Sequence, residues 1–283
     1  MTLVSAPELV ELLASDASVS VLDVRWTLAE PDGHAAYLAG HVPGAVYVDL
    51  ESDLSDHAVS GRGRHPLPAG IDLQAALRRW GVDDGDTVVV YDDWNRAGSS
   101  RAWWVLRAAG LANVRILDGG WAAWRAAGGP VQTGVSEVAE GAVTVRHADL
   151  YSGALPTLTA GDAAELGSTG VLLDARAPER FRGEVEPVDP VAGHIPGAVN
   201  LPSTSILRED GTFADREQLA ALFRARGTDG TVTAGAYCGS GVTAAVLAAA
   251  AAVADVPLAL FPGSWSQWSS DSANPVETGA GAS

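Results

Sequence analysis

The chain holds a single cysteine among its 283 residues. That excludes an intrachain disulfide framework and any cysteine-rich metal site, and a lone thiol fits a reducing compartment. Positive charge is also scarce: Lys and Arg number 18 against 35 Asp and Glu, for a net charge of −17. This balance argues against nucleic acid or an anionic membrane as a partner, because both are bound by fields of Lys and Arg. An anionic substrate would have to be attracted by a local site. Long apolar runs are missing too. The longest, over residues 242–254, is about 13 residues, short of the roughly 20 needed to span a bilayer. The opening "MTLVSAPELVELLASD" mixes charges into its apolar residues, unlike a signal peptide with a basic n-region and an apolar core. A cytoplasmic location is expected. The six histidines, at 34, 41, 57, 65, 147 and 194, show no metal-ligand spacing.

What is present is a soluble globular composition, 47% hydrophobic and 19% charged, in a chain long enough for about two domains. The sequence repeats itself in order. "VSVLDVRW" around Asp23 returns as "GVLLDARA" around Asp174, and "AGHVPGAVYVDL" at His41 returns as "AGHIPGAVNLP" at His194. "DTVVVYDD" returns as "GTVTAGAYCG", and "ILDGGWAAW" as "LFPGSWSQW". The spacing drifts only by loop-sized insertions, which marks duplicated domains and not a solenoid of roughly 20–50-residue units. Apolar runs at 19–24, 87–91, 171–174 and 231–237 read as buried strands. "DLQAALRRWG" (72–81) and "DREQLAALFRARG" (215–227) have an Asp start, apolar 3–4 spacing and a Gly stop, and read as helices. Strands alternating with helices predict an α/β fold: two tandem domains, each a mainly parallel sheet flanked by helices. The boundaries expected are 1–135, a linker at 136–156 that lacks sustained periodicity and is read as strapped over the first domain, and 157–283.

The two copies differ where a strand turns into the last long helix. In the second copy the turn reads Cys238-Gly239-Ser240-Gly241-Val242-Thr243, before an alanine-rich helix. Glycines let the backbone curl round one side chain, and the helix N-terminus points N–H groups and the positive dipole end at it. A thiol so placed has its nucleophilic thiolate favoured. A lone cysteine is otherwise read as a small buried hydrophobe; the Gly-x-Gly turn reverses that reading. The first copy aligns Asp92 with Cys238, so that domain is expected to be catalytically inactive. A Cys-x5-Arg phosphatase loop is discounted because Ala244 stands where its phosphate-clamping Arg would be. A papain-like site is discounted because every histidine precedes the cysteine. Trp103, Trp104, Trp121 and Trp124 read as packing residues. Arg62 and Arg64 read either as a source of positive potential near a cleft or as a solvated loop. The Pro-Gly turns at His41 and His194 have a plain structural reading, a turn set by Pro and Gly.

These motifs together, "LDVRW", "GHVPGAVYVDL" and "LDGGWAAW" in the first half and "LDARAPERFRGE", "GHIPGAVNLP", "CGSGVTA" and "PGSWSQW" in the second, resemble the tandem-domain rhodaneses, the thiosulfate and 3-mercaptopyruvate sulfurtransferases. The resemblance covers nearly the whole chain. It implies that the Cys238 thiolate takes the outer sulfur of a small anionic donor and becomes a persulfide, cradled by the N–H groups of Gly239, Ser240, Gly241, Val242 and Thr243. A thiophilic acceptor, cyanide in an assay or a thiol such as thioredoxin or glutathione in a cell, then removes that sulfur in a ping-pong cycle that needs no cofactor.

The resemblance leaves the donor open. The Cys-Gly-Ser-Gly-Val-Thr loop is similar to the mercaptopyruvate branch, whereas the thiosulfate branch tends to carry basic residues at the positions of Gly239 and Ser240. The family's proposed proton relay implies Ser240 with His41 and, as third member, Asp32. Arg180 in "APERFRGE" is the implied anion binder, its planar fork suited to a carboxylate or sulfonate; the plain alternative is a weak surface pair with Glu179 or Glu184. The second arginine of the mercaptopyruvate branch is missing at Val188, and Arg182 is the candidate substitute. Two readings from other classes stand beside the enzyme. One is a non-catalytic redox-sensing or binding protein, against which the intact glycine turn counts; the other is a phosphatase-like or arsenate-reducing enzyme.

Overall fold

The computed structural model describes residues 1–228 and 230–281. The chain divides into two compact units, and two short segments are counted with the unit other than that of the chain on either side of them. The first unit comprises Met1–Asp56, Leu67–Leu155 and Arg208–Phe213. The second comprises His57–Pro66, Pro156–Leu207 and Ala214–Ser283.

In the first unit the elements run β1 (Leu3–Val4), α1 (Ala6–Ala14), β2 (Val19–Asp23), α2 (His34–Ala39), β3 (Val46–Tyr47), α3 (Leu50–Asp53), α4 (Gly70–Arg79), β4 (Thr87–Tyr91), α5 (Ala97–Ala108), β5 (Val114–Leu117) and α6 (Gly120–Ala126). In the second they run α7 (Ala160–Thr169), β6 (Val171–Asp174), α8 (Pro178–Phe181), β7 (Val199–Asn200), α9 (Arg216–Arg224), β8 (Ala234–Tyr237), α10 (Ala244–Ala254), β9 (Ala259–Leu260) and α11 (Ser264–Trp268). The sheets are ordered β1-β5-β4-β2-β3 and β7-β6-β8-β9, and every pairing is parallel. A single parallel bridge from Thr157 to Leu260 stands where β1 pairs with β5 in the other unit. Both units are therefore α/β, with one topology used twice. Buried Val and Leu fill the central strands, as both faces of a parallel sheet demand.

The local chemistry of the elements is visible in their ends. Ser5 and Glu8 form a capping box on α1, as Asp215 and Gln218 do on α9. The repeated motifs prove to be one structural node built twice. Arg25 pairs with Asp23 and donates to the Gly40 carbonyl at 2.6 Å; Arg176 pairs with Asp174 and donates to the Gly193 carbonyl at 2.7 Å. Each guanidinium lies over a tryptophan, Trp121 at 5.1 Å and Trp265 at 4.8 Å. Each Gly-His turn is pinned by a buried tyrosine, Tyr91 to the Val42 N–H and Tyr237 to the Ile195 N–H, both at 3.1 Å.

Several expectations change in detail. The strand expected at 231–237 begins only at Ala234, because residues 231–233 are exposed. The helix expected at 72–81 begins two residues earlier, at Gly70. The stretch expected as a linker is laid along the first unit by backbone hydrogen bonds, Gly141 to Arg78, Val143 to Val82 and Ala154 to Ala108, and is counted with that unit to Leu155. Trp103, Trp104 and Trp124 are buried. Among the described residues, no helix is long and apolar enough to cross a membrane, and no group of three or more His, Cys, Asp or Glu is placed to hold a metal ion.

Candidate active site

β8 ends at Tyr237 and the next residue is Cys238, 1% exposed. Its own peptide is clamped from both sides. The Cys238 N–H donates to Ser264 Oγ at 3.1 Å, and its carbonyl accepts the Trp265 N–H at 2.9 Å. The Gly239 carbonyl accepts from Ser266 at 2.8 Å. The start of α11 thus takes up the loop's carbonyls. The chain then doubles back so that the Gly241 N–H donates to Cys238 Sγ at 3.1 Å. That turn needs glycine: Gly241 has φ +80°, and a Cβ there would overlap the Pro262 carbonyl oxygen. Val242 and Thr243 complete the loop, and α10 follows directly, with its positive dipole end toward it.

Two further groups close on this loop. Ser240 Oγ is 2.7 Å from Nδ1 of His65, and both residues are buried. His65 belongs to the 57–66 segment, which is counted with the second unit. The Arg64 N–H fixes that segment to Ser266 Oγ at 3.0 Å, and Gly63 packs against the Gly263 carbonyl. The second group is a pair of cations. A methyl built on Gly239 would lie 3.4 Å from Nη2 of Arg64 and 3.5 Å from Nη1 of Arg180. Both Nε atoms are buried with no acceptor among the described residues. Arg180 Nη2 bonds Glu186 Oε1 at 2.6 Å and lies 3.4 Å from Asp189 Oδ2; Arg64 Nη1 is 2.5 Å from Asp189 Oδ1. Burial pushes the Glu186 carboxyl up, but the Asp189 N–H, Arg180 and the Val188 N–H together hold it below the usual glutamate range.

The loop from Cys238 to Thr243 and Arg180 therefore come together, while two expected residues lie elsewhere. His41 is fully buried in the first unit. Its Nδ1 is 2.9 Å from the Tyr37 carbonyl, its Nε2 is 3.1 Å from Ser136 Oγ, and its ring stacks on Tyr37 at 4.1 Å. Both ring nitrogens are thus spent on the fold. Asp32 is exposed and accepts from the His34 N–H at 2.8 Å and from the Tyr47 hydroxyl at 3.4 Å, a turn at the start of α2. His194, the twin of His41, is likewise internal, 2.8 Å from the Phe181 carbonyl and stacked on Phe181. Arg182 pairs with exposed Glu184 at 2.7 Å, so the second cation at the loop is Arg64 instead. The residues missed were His65 and Asp189. The available signal for His65 was its want of a counterpart: no histidine follows His194.

In the first unit Asp92 occupies the place of Cys238, its carbonyl accepting the Trp121 N–H at 2.9 Å as Cys238 accepts from Trp265. Its carboxylate takes the Ser99 N–H and hydroxyl and pairs with Arg96 at 2.9 Å. Burial pushes its carboxyl up, with Arg96 and Ser99 opposing. A buried ion pair fills this turn, which holds no nucleophilic sulfur.

A thiol with a main-chain donor on it, two guanidinium groups beside the adjoining Gly239 and a hydroxyl–imidazole pair make an arrangement suited to attack on a small anion with a labile bond. The model of the rhodanese-like domain matches residues 5–127 and 159–271, one match per unit. A protein of Mycobacterium tuberculosis, SseB, named provisionally as a thiosulfate sulfurtransferase, is 61% identical over 98% of this chain and 97% of its own length. The 3-mercaptopyruvate sulfurtransferase of Escherichia coli is 38% identical over 93% of each chain. The crystal structure of E. coli SseA, described as a 3-mercaptopyruvate sulfotransferase with the rhodanese fold, matches with a TM-score of 0.81 at 36% identity, over 94% of this chain and all of that one. The chain belongs to the rhodanese family and is a sulfurtransferase of its tandem-domain kind.

Proposed function

We propose that Cys238 carries the transferred sulfur as a persulfide, and that 3-mercaptopyruvate is the donor the site suits best. The thiolate attacks the donor's sulfur; a new S–S bond forms and the donor's C–S bond breaks, its electron pair leaving with carbon as an enolate. A proton then converts the enolate to pyruvate. Ser240, backed by His65, supplies that proton, and proton donation in such a transition state is worth roughly 100- to 10,000-fold. Arg64 and Arg180 hold the carboxylate. The Gly241 N–H stabilises negative charge on the cysteine sulfur. A thiol acceptor attacks the outer sulfur, and Cys238 leaves as thiolate. The cycle requires a reduced cysteine, which suits a reducing compartment such as the cytoplasm.

The observation that carries the choice of donor is the 2.7 Å contact between Ser240 and His65. Thiosulfate expels sulfite, an easily departing anion that needs no proton, so the pair would be idle with it. The name of the M. tuberculosis relative favours thiosulfate as a second donor. Steady-state rates with each donor, on wild type and Ser240→Ala, test the assignment. The expected result is a loss of kcat of about 100-fold or more with mercaptopyruvate and little change with thiosulfate; equal loss with both overturns it. Intact mass after donor addition should show one added sulfur atom on wild type and none on Cys238→Ser. Wild type that takes up no sulfur from either donor overturns the persulfide.

A further inference from the structure

The anion-binding arginines already hold an anion, and it comes from the protein. Asp189 is placed between them: Oδ1 on Arg64 at 2.5 Å, Oδ2 on Arg180 at 3.4 Å, with its side chain only 2% exposed. We propose that Asp189 is a resident competitor for the donor, a carboxylate that occupies the two guanidinium groups until the donor's own anionic group displaces it, and that it sets the enzyme's preference between donors of different charge. This inference rests on the assignment of Arg64 and Arg180 as the donor's anion site.

The placement of Asp189 is built. It lies in the loop 184–191, whose turn is organised by Glu186: one carboxylate oxygen accepts the N–H groups of Val188 and Asp189, at 3.1 and 3.0 Å, and the Arg180 guanidinium. The other oxygen reaches Arg176 at 3.5 Å, tying the turn to the buried Asp174–Arg176 pair. Trp265 Nε1 secures the far end through the Val191 carbonyl at 2.9 Å. Between these anchors the tip carries little that is buried. Pro187 and Pro190 are exposed, and Val188 is 41% exposed. Asp189 can leave the arginines without uncovering apolar surface, so what opposes its departure is the charge pairing itself.

The charges make the consequence specific. Arg64 and Arg180 face Glu186 and Asp189, two cations against two carboxylates. With Asp189 in place the cluster is neutral; without its charge the cluster is a monocation. Taking water-like screening over roughly 7 Å as the lower limit for so buried a group, loss of one charge strengthens binding by at least roughly threefold per donor charge, and by about tenfold for a dianion. Thiosulfate is a dianion and mercaptopyruvate carries one carboxylate. Asp189 therefore penalises thiosulfate more than mercaptopyruvate.

The test compares Asp189→Asn and Asp189→Glu with wild type. In Asp189→Asn, KM should fall about tenfold for thiosulfate and about threefold for mercaptopyruvate, with kcat moving less than KM. Asp189→Glu keeps the charge and should keep the wild-type ratio of the two KM values. If Asp189 merely props up the loop, Asn raises KM for both donors and Glu disturbs them as much as Asn does; either result overturns the proposal. A second measurement does not need turnover: calorimetric titration of Cys238→Ser with sulfate and with pyruvate, with and without Asp189→Asn. Tighter binding, larger for sulfate, supports the competitor role, and unchanged or weaker binding overturns it. Sulfur loading of Cys238 is read separately, so failure of the persulfide assignment is seen in wild type alone and is distinguishable from failure of the Asp189 inference.

Discussion

Gly241→Ala separates the two jobs of one residue. Gly241 supplies a left-handed turn, with φ +80°, and the N–H that reaches Cys238 Sγ at 3.1 Å. An alanine there costs about 1–2 kcal/mol for the backbone conformation alone, and its Cβ also overlaps the Pro262 carbonyl. The loop must shift, and the N–H must move with it. Losing one preorganised donor at a developing charge costs roughly 100- to 1,000-fold in rate, whereas the stability cost lowers the melting midpoint by only about 5 °C. The control is Gly227→Ala, also in the second unit, at φ +84° with Val171 Cγ2 3.4 Å from the added methyl. It carries the same backbone penalty away from the sulfur. The assay is the rate of single-turnover sulfur loading on Cys238, followed by intact mass, beside thermal melts of both variants. Both should melt lower, and only Gly241→Ala should load slowly. If both load at the wild-type rate, the N–H on Sγ contributes nothing to the chemistry and the argument for the cradle is refuted.

The two histidines should part company under mutation. His41→Ala removes a buried ring bonded at both nitrogens and should lower stability by about 2–3 kcal/mol, while the folded protein still loads sulfur; His65→Ala also removes a buried ring and should melt lower too, but it should lose turnover with mercaptopyruvate selectively. Activity and melts on each variant decide this, and selective loss in His41→Ala would return the relay to that residue. For pH, the sign follows from Glu186, whose folded carboxyl is held below its ordinary value. Its contribution to stability is complete above the unfolded glutamate range and is lost as pH falls through the lowered folded value. Glu186→Gln should therefore flatten part of the acid-side slope of the melting midpoint and leave the neutral region parallel to wild type; an unchanged acid slope counts against the Glu186 network.

The strands were readable because each parallel sheet buries both faces, leaving apolar runs such as those at 87–91 and 171–174 that match β4 and β6 residue for residue. Helix α9 was readable at its start because Asp215 and Gln218 cap it through local hydrogen bonds. The Cys238–Thr243 loop was readable because its parts are contiguous in sequence. What could not be read is what local patterning does not encode: that residues 57–66 are counted with the second unit, bringing His65 to Ser240 and Arg64 to Gly239. The duplication also held an unused clue. His41 has a twin in His194, and each is bonded internally beside its Gly-His turn. A residue kept in both copies, one of which lacks the thiol, is thereby marked as serving what the copies share, which is the fold.

The same logic explains what each copy does with its strand-to-helix turn. Both turns are locked to a following tryptophan, Trp121 on Asp92 and Trp265 on Cys238. A turn of this kind gathers N–H groups and therefore invites negative charge. In the first unit the invitation is answered permanently: Asp92 supplies the carboxylate, Ser99 donates to it and Arg96 neutralises it, all buried. In the second unit the side chain at that position is a thiol, and under the proposed persulfide cycle the charge arrives and leaves with the transferred sulfur. A different carboxylate, Asp189, lies nearby and meets the arginines. A fixed anion inside the turn closes it to chemistry, while one held at its edge can be exchanged for a donor. On the proposed mechanism, that difference in position leaves the first copy a structural partner and gives the chemistry to the second.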